Sequence, residues 1–267
     1  MTTPDTAHRF EVEFTVAATP EQVWEAIATA DGLSAWMLPT DLDPREGGAV
    51  TFHMGPDGAS EGTITAYEPT RRIAYDEDWA TLVGHPGADV TPLATDFLVE
   101  ARSGGTCVVR VVSSAYGTGA DWEHEFWGEM ETGWAPMLDN LRIYLTHFAG
   151  QRATGTTSTA PFTVTPVEAI ERVRAALGVG TVGDHIDAAG VDGVVERTIA
   201  QHFLVRIERP VPGLVSCFAH DAADGAVVSL SAFLYGPAGP AAAERLRPQW
   251  QSLLVELARD QAIVPTT

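Results

Sequence analysis

The side chains able to move protons or hold ions are few and scattered. In the first half they are His53, Tyr67, Tyr75, Asp76, Glu77, Asp78, Glu123 and His124. The run Tyr75 to Trp79, YDEDW, crowds carboxylates at the end of a strand-like segment. Such a cluster binds a cation or poises a general base, although most runs of this kind are solvated turns. Glu123 and His124 head a long helical segment, where a first-turn carboxylate complements the helix dipole and needs no other role. His53 stands between Phe52 and Met54, so strand alternation turns it away from the face those two share. In the second half, His185, Asp187, His202 and His220 are spread over strand-like runs. No His/Cys set has metal-ligand spacing, and neither a Gly-rich phosphate loop nor a nucleophile elbow occurs. "HEFWGEM" lacks the second His of a zinc-protease helix. The sequence assigns no catalytic residue, no metal and no cofactor.

The stronger signal is apolar. Between His124 and Phe148 the large side chains Phe126, Trp127, Met130, Trp134, Met137, Leu138, Leu141, Leu145 and Phe148 recur mostly at steps of three or four. They draw one stripe along a long helix whose other face carries Glu125, Glu129, Asp139, Asn140 and Arg142. Burying Phe126, Trp127, Met130 and Trp134 contributes roughly 2–3 kcal/mol each, so the surface beneath them is broad and apolar.

The elements before that helix supply such a surface. "RFEVEFTV" alternates as a half-buried strand, and Thr19 with Pro20 caps a helix carrying Val23, Trp24 and Ile27. A second short helix is expected to hold Leu33, Trp36 and Met37. Strand-like runs then follow, punctuated by turns at Pro56–Asp57–Gly58, Glu68–Pro69–Thr70 and Ser103–Gly104–Gly105. They read as an antiparallel meander, broken by a longer loop from Trp79 to Ala94. The expected class is α+β, complete by residue 149. "AGQRATGTTSTAP" reads as a small-residue linker over 150–161. From 162 to 267 "FTVTPVEAIERVRAALGVG" echoes "FTVAATPEQVWEAIATADGL", five strand-like runs follow, and a helix-spaced Trp segment closes the unit. The second half reads as a shorter, diverged copy of the first.

The totals exclude several roles. The 267 residues carry a net charge of −20, with every basic residue an arginine. That field repels phosphate backbones, so no nucleic-acid partner is expected. No run approaches the ~18 apolar residues of a membrane span, so no membrane insertion is expected either. The opening residues show no signal-peptide pattern, and Cys107 and Cys217 read as reduced, buried thiols of a cytoplasmic protein. The absence of lysine beside abundant Ala, Gly, Asp and Arg resembles GC-rich coding bias, as in actinobacteria.

The successive phrases "TPEQVWEAIATADGLSAWM", "REGGAVTFHMG", "EGTITAYEPTRRIAY" and "GWAPMLDNLRIYL" resemble the signatures of the SRPBCC (START-like) superfamily. They are most similar to the family of homologues of the heat-shock-protein-90 ATPase activator. The resemblance runs from about Phe10 to Phe148, and in the second half only through its first and last helices. It implies a helix-grip fold, a curved antiparallel sheet around a long C-terminal helix with an apolar cavity between them. The wall of that cavity would be Trp36, Met37, Phe52, Met54, Tyr75, Phe97, Phe126, Trp127, Met130 and Trp134, a set of rings and methionines suited to a flat or greasy ligand. Three roles follow as expectations: binding a hydrophobic small molecule or lipid without assigned catalysis, an enzyme of the polyketide aromatase/cyclase kind, or a co-chaperone-like interaction module.

Overall fold

An alternating segment opens the chain as strand β1 (Thr6–Val16), with His8, Phe14 and Val16 buried and their neighbours exposed. The computed structural model describes residues 6–54 and 58–259. Helix α1 (Pro20–Ala28) starts where expected: Thr19 accepts from the Gln22 N–H while the Gln22 side chain accepts from the Thr19 N–H, a reciprocal capping box. Helix α2 (Ala30–Ser34) buries Leu33 but ends before Trp36 and Met37. Those two sit in the turn beyond it, which corrects the longer helix expected there.

Strands β2 (Thr40–Leu42), β3 (Ala49–His53), β4 (Ala59–Glu68), β5 (Arg72–Glu77), β6 (Leu93–Arg102) and β7 (Thr106–Gly117) complete the first sheet. Its seven strands run in the order β1-β7-β6-β5-β4-β3-β2, antiparallel throughout. Gly104 and Gly105 take left-handed φ values of 80° and 73° in the β6–β7 turn, where a side chain would be strained. Of the expected turn Pro56–Asp57–Gly58, the first two residues lie outside the described ones. The segment expected as a loop after Trp79 begins with a short helix, α3 (Trp79–Leu82), capped by Asp78. Helix α4 (Asp121–His147) then follows for 27 residues, with Pro136 inside it.

The chain divides into two compact units after Gln151. The linker expected over 150–161 is mostly strand β8 (Ala153–Phe162), paired with the last strand of the second sheet. Its small residues hide it from a hydrophobicity reading, because Thr156, Ser158 and Ala160 fill the buried positions where larger side chains usually stand. After helix α5 (Pro166–Leu177) come β9 (His185–Ala188), β10 (Val191–Ile199), β11 (His202–Arg209), β12 (Gly213–Ala222), β13 (Gly225–Tyr235) and helix α6 (Gly239–Arg259). The six strands are ordered β8-β13-β12-β11-β10-β9, so in both sheets the unit's first strand pairs with its last. Helix α5 repeats the capping box of α1 with Thr165 and Glu168. The second unit is the first with β2, α2 and α3 left out, an α+β copy diverged in sequence and reduced in size.

Among the described residues no helix is long and apolar enough to cross a membrane. Cys107 and Cys217 are buried and free.

Candidate functional site

Alternation places one face of the first sheet against α4. Phe10 of β1 and Phe97 of β6 both meet Trp134, with ring centroids 6.4 and 6.0 Å apart. Tyr75 of β5 continues the layer, 6.4 Å from Phe97 and 5.3 Å from Phe52 of β3. Trp36, Phe52, Tyr75, Phe97, Trp127 and Trp134 are all buried. Met37 is buried too, while Met54, Phe126 and Met130 are half-buried. Trp36 is fixed from two sides: its indole N–H donates to the Ala26 carbonyl at 2.9 Å, and its own carbonyl accepts from the Asn140 amide at 3.2 Å.

A second aromatic group lies at the N-terminal end of α4. Trp79 stands 4.8 Å from Phe126, 4.9 Å from Trp122 and 6.2 Å from Trp127, and its indole N–H donates to the Thr91 carbonyl at 2.8 Å. The sequence reading put Trp79 at the edge of a loop, and it did not single out Trp122.

Polar groups punctuate this apolar interior. Glu123 is fully buried at the head of α4. Its carboxylate accepts from the N–H groups of Thr118 and Gly119, at 3.0 and 2.9 Å, and from the Thr118 hydroxyl at 2.8 Å. His8 Nε2 approaches it at 3.3 Å. Burial alone would raise this carboxyl's pKa, but those bonds outweigh it and hold the group down to about 2. An ionised carboxylate only accepts, so His8 Nε2 carries the proton it shares. The ring of His8 stacks on Trp127 at 5.3 Å, nearly parallel at 4°. Gly117 makes this seat possible: a Cβ there would lie 2.0 Å from a Glu123 oxygen. A dipole-complementing surface role for Glu123, adequate from sequence, is therefore too small for what the residue does. His124, by contrast, is exposed.

The YDEDW run divides in the same way. Asp78 caps α3 on the surface. Glu77 shares the Tyr75 face of β5 by alternation and accepts a short 2.5 Å bond from the Ser60 hydroxyl, itself buried opposite Phe52. Burial raises the Glu77 carboxyl to about 7 in spite of that bond. Tyr75 is raised well above its usual value by burial and by the nearby Glu77 charge. Glu77 also borders a surface cleft of about 790 Å³ that Glu61, Asp76, Asp78, Trp79 and Thr91 help to line. His53 faces outward, bonded to Asp41 at 2.8 Å, as alternation requires. Among the described residues no group of three His, Cys, Asp or Glu side chains could hold a metal.

Two donors in this interior have no partner. The indole nitrogens of Trp127 and Trp134 are buried and make no hydrogen bond within the described protein. In the second unit the corresponding aromatic of the terminal helix, Trp250, donates to the Ala189 carbonyl at 3.1 Å.

Residues 17–146 match the family model described as Activator of Hsp90 ATPase homolog 1-like protein. No curated protein matches the chain. Among solved structures, the Aha1 dimer from Colwellia psychrerythraea is similar at 21% identity over 53% of this chain and 98% of that one, with a TM-score of 0.43. DynU16, a protein of the dynemicin biosynthetic locus, is similar at 16% identity over 97% of this chain and 100% of its own, with a TM-score of 0.44. The di-domain ARO/CYC BexL from the BE-7585A biosynthetic pathway is similar at 15% identity, covering 97% of this chain and 99% of that one, with a TM-score of 0.43.

Proposed function

We propose that the first unit, a member of the Activator of Hsp90 ATPase homolog 1-like family, binds a hydrophobic small molecule or lipid between its sheet and helix α4. One observation carries this reading. Rings from four strands and one helix, Phe10, Phe52, Tyr75, Phe97 and Trp134, meet in a single layer between the sheet and α4. Half-buried Phe126 and Met130 border the aromatic group at the head of that helix. Rings and thioethers make a wall that adapts to a flat or flexible apolar ligand. These half-buried side chains mark the rim at which such a ligand would enter. The test is native mass spectrometry of the gently purified chain, followed by organic extraction. A bound apolar molecule supports the reading. A protein that emerges empty and also ignores a panel of lipids and polycyclic aromatics removes it.

A second reading, proton-transfer chemistry of the aromatase/cyclase kind, is favoured by Glu77. Its carboxyl faces the same side of the sheet as the ring layer and titrates near neutrality, where a group can both take and return a proton. If the bound molecule is converted on incubation, the Glu77→Gln variant is expected to retain binding and lose conversion. Conversion unaffected by that substitution would remove this reading.

A further inference from the structure

Buried tryptophans in this chain separate into two kinds. Trp36, Trp79 and Trp250 each donate their indole N–H to a backbone carbonyl, at 2.9, 2.8 and 3.1 Å. Trp127 and Trp134 donate to nothing within the described protein, although they are only 6% and 5% exposed. A buried donor left unpaired costs about 1–3 kcal/mol, and indole N–H groups in cores ordinarily find an acceptor. Two such donors on the gripping face of one helix carry a desolvation penalty that a purely apolar side chain in their place would not.

We infer that these two indoles are hydrogen-bond donors to the ligand, and that the ligand is an elongated apolar molecule carrying two carbonyl-type oxygens. This rests on the binding reading above and narrows its ligand class. Trp127 and Trp134 are seven residues apart on α4, which sets them on one face about 10 Å apart along the axis. A ligand lying along the helix with acceptors at that spacing satisfies both. A pure hydrocarbon satisfies neither, and a compact polar molecule reaches only one. Access is local. Phe126 neighbours Trp127 at 6.1 Å and Phe10 neighbours Trp134 at 6.4 Å, and both of these rings are only half-buried. These two rings are the ones a ligand would displace to reach the indoles. Two other polar sites of this interior are already engaged. His8 Nε2 is engaged with Glu123, and the Thr95 and Ser113 hydroxyls bond each other at 3.1 Å.

The experiment uses the full chain, labelled with 15N at its tryptophans, and a matched pair of probes. In 4,4′-diacetylbiphenyl two ketone groups stand at about the two-turn spacing of the indoles; 4,4′-diethylbiphenyl has nearly the same shape and no acceptor. The indole signals are assigned with Trp127→Phe and Trp134→Phe. The expected result is binding of the diketone at least about tenfold tighter than the hydrocarbon, with downfield shifts of the Trp127 and Trp134 N–H signals and none at Trp250. Each Trp→Phe variant should shrink the ratio while still binding the hydrocarbon. Equal affinity for both probes with unmoved indole signals would overturn the inference and leave hydrophobic binding standing. Failure of both probes to bind would overturn the inference together with the reading beneath it.

Discussion

The two units share a strand order and a pair of capping boxes, yet they fill their interiors differently. In the second unit the core is largely aliphatic: Ile170, Val173, Ile186, Val195, Val205, Val215, Leu230 and Leu246 surround Phe162, Phe203 and Trp250. Its terminal-helix tryptophan has its donor satisfied. In the first unit many more rings join the branched aliphatics, two tryptophan donors are left open, and ionisable groups face the same interior. Branched aliphatic side chains pack densely and specify one arrangement. An aromatic layer with open donors costs stability that a core alone does not repay. The difference is what the proposed binding role predicts, a scaffold in one copy and a receptive interior in the other.

That contrast can be broken at several points. The largest effect is expected at the head of α4. Glu123→Ala strips the partner from the Thr118 and Gly119 N–H groups and from His8, and should cost about 3 kcal/mol or more in a denaturant titration. Gly117→Ala should destabilise comparably, because its new methyl group occupies the carboxylate's place. Little change in either variant would show that the buried network does not hold β7 to α4.

Acid should act on the two units in different pH windows. His202, buried in the second unit and near Ser216, has its pKa lowered to about 4 by burial and, less, by Arg197. The unfolded chain takes up that proton near pH 6.5, before the folded one does, so stability falls as pH drops from about 6.5 to 4. Glu123 is also depressed, to about 2. Its contribution is whole above pH ~4.5 and is lost between there and 2, an amount of about 3 kcal/mol. Denaturant midpoints across pH should show both phases, with His202→Gln removing the upper one and Glu123→Gln the lower. A single phase insensitive to either substitution contradicts this assignment.

The tryptophans give a smaller and sharper contrast. Trp250→Phe leaves the Ala189 carbonyl without its donor and should cost about 1–2 kcal/mol beyond the lost contact area. Trp134→Phe removes a donor that had no partner, so it should cost less than the loss of area alone, and it can stabilise the empty protein. Glu77 should give the opposite pH sign to Glu123. Its carboxyl is raised to about 7, so the unfolded chain releases the proton first and stability declines as pH rises from about 4.5 to 7. Glu77→Gln should abolish that decline, measured as thermal midpoints at pH 5 and 8.

Much of this framework was legible in the residues. The Thr-Pro phrases announced both N-caps, period-two alternation located the longer strands, and the three-and-four spacing of α4 placed its stripe on the sheet. Glu77 was within reach of the same rule. Tyr75 was read as inward, and two positions along a strand is the same face, but three clustered carboxylates looked like a turn. His8 could not be found that way. It meets Glu123 across 115 residues of sequence, a contact made only when β1 pairs with β7. Strand β8 was lost for a chemical reason, since Thr156 and Ser158 are satisfied by Arg247, through its Nε and its carbonyl respectively, and sequence hydropathy does not register such positions as core.

The most direct test of the contrast between the units is the stoichiometry of binding, read by calorimetric titration of the full chain with the apolar molecule recovered from it or with diacetylbiphenyl. The account predicts one molecule per chain, with binding weakened by Trp134→Phe and untouched by Trp250→Phe. Two equivalent sites, or a single site that Trp250→Phe weakens and Trp134→Phe spares, would contradict it.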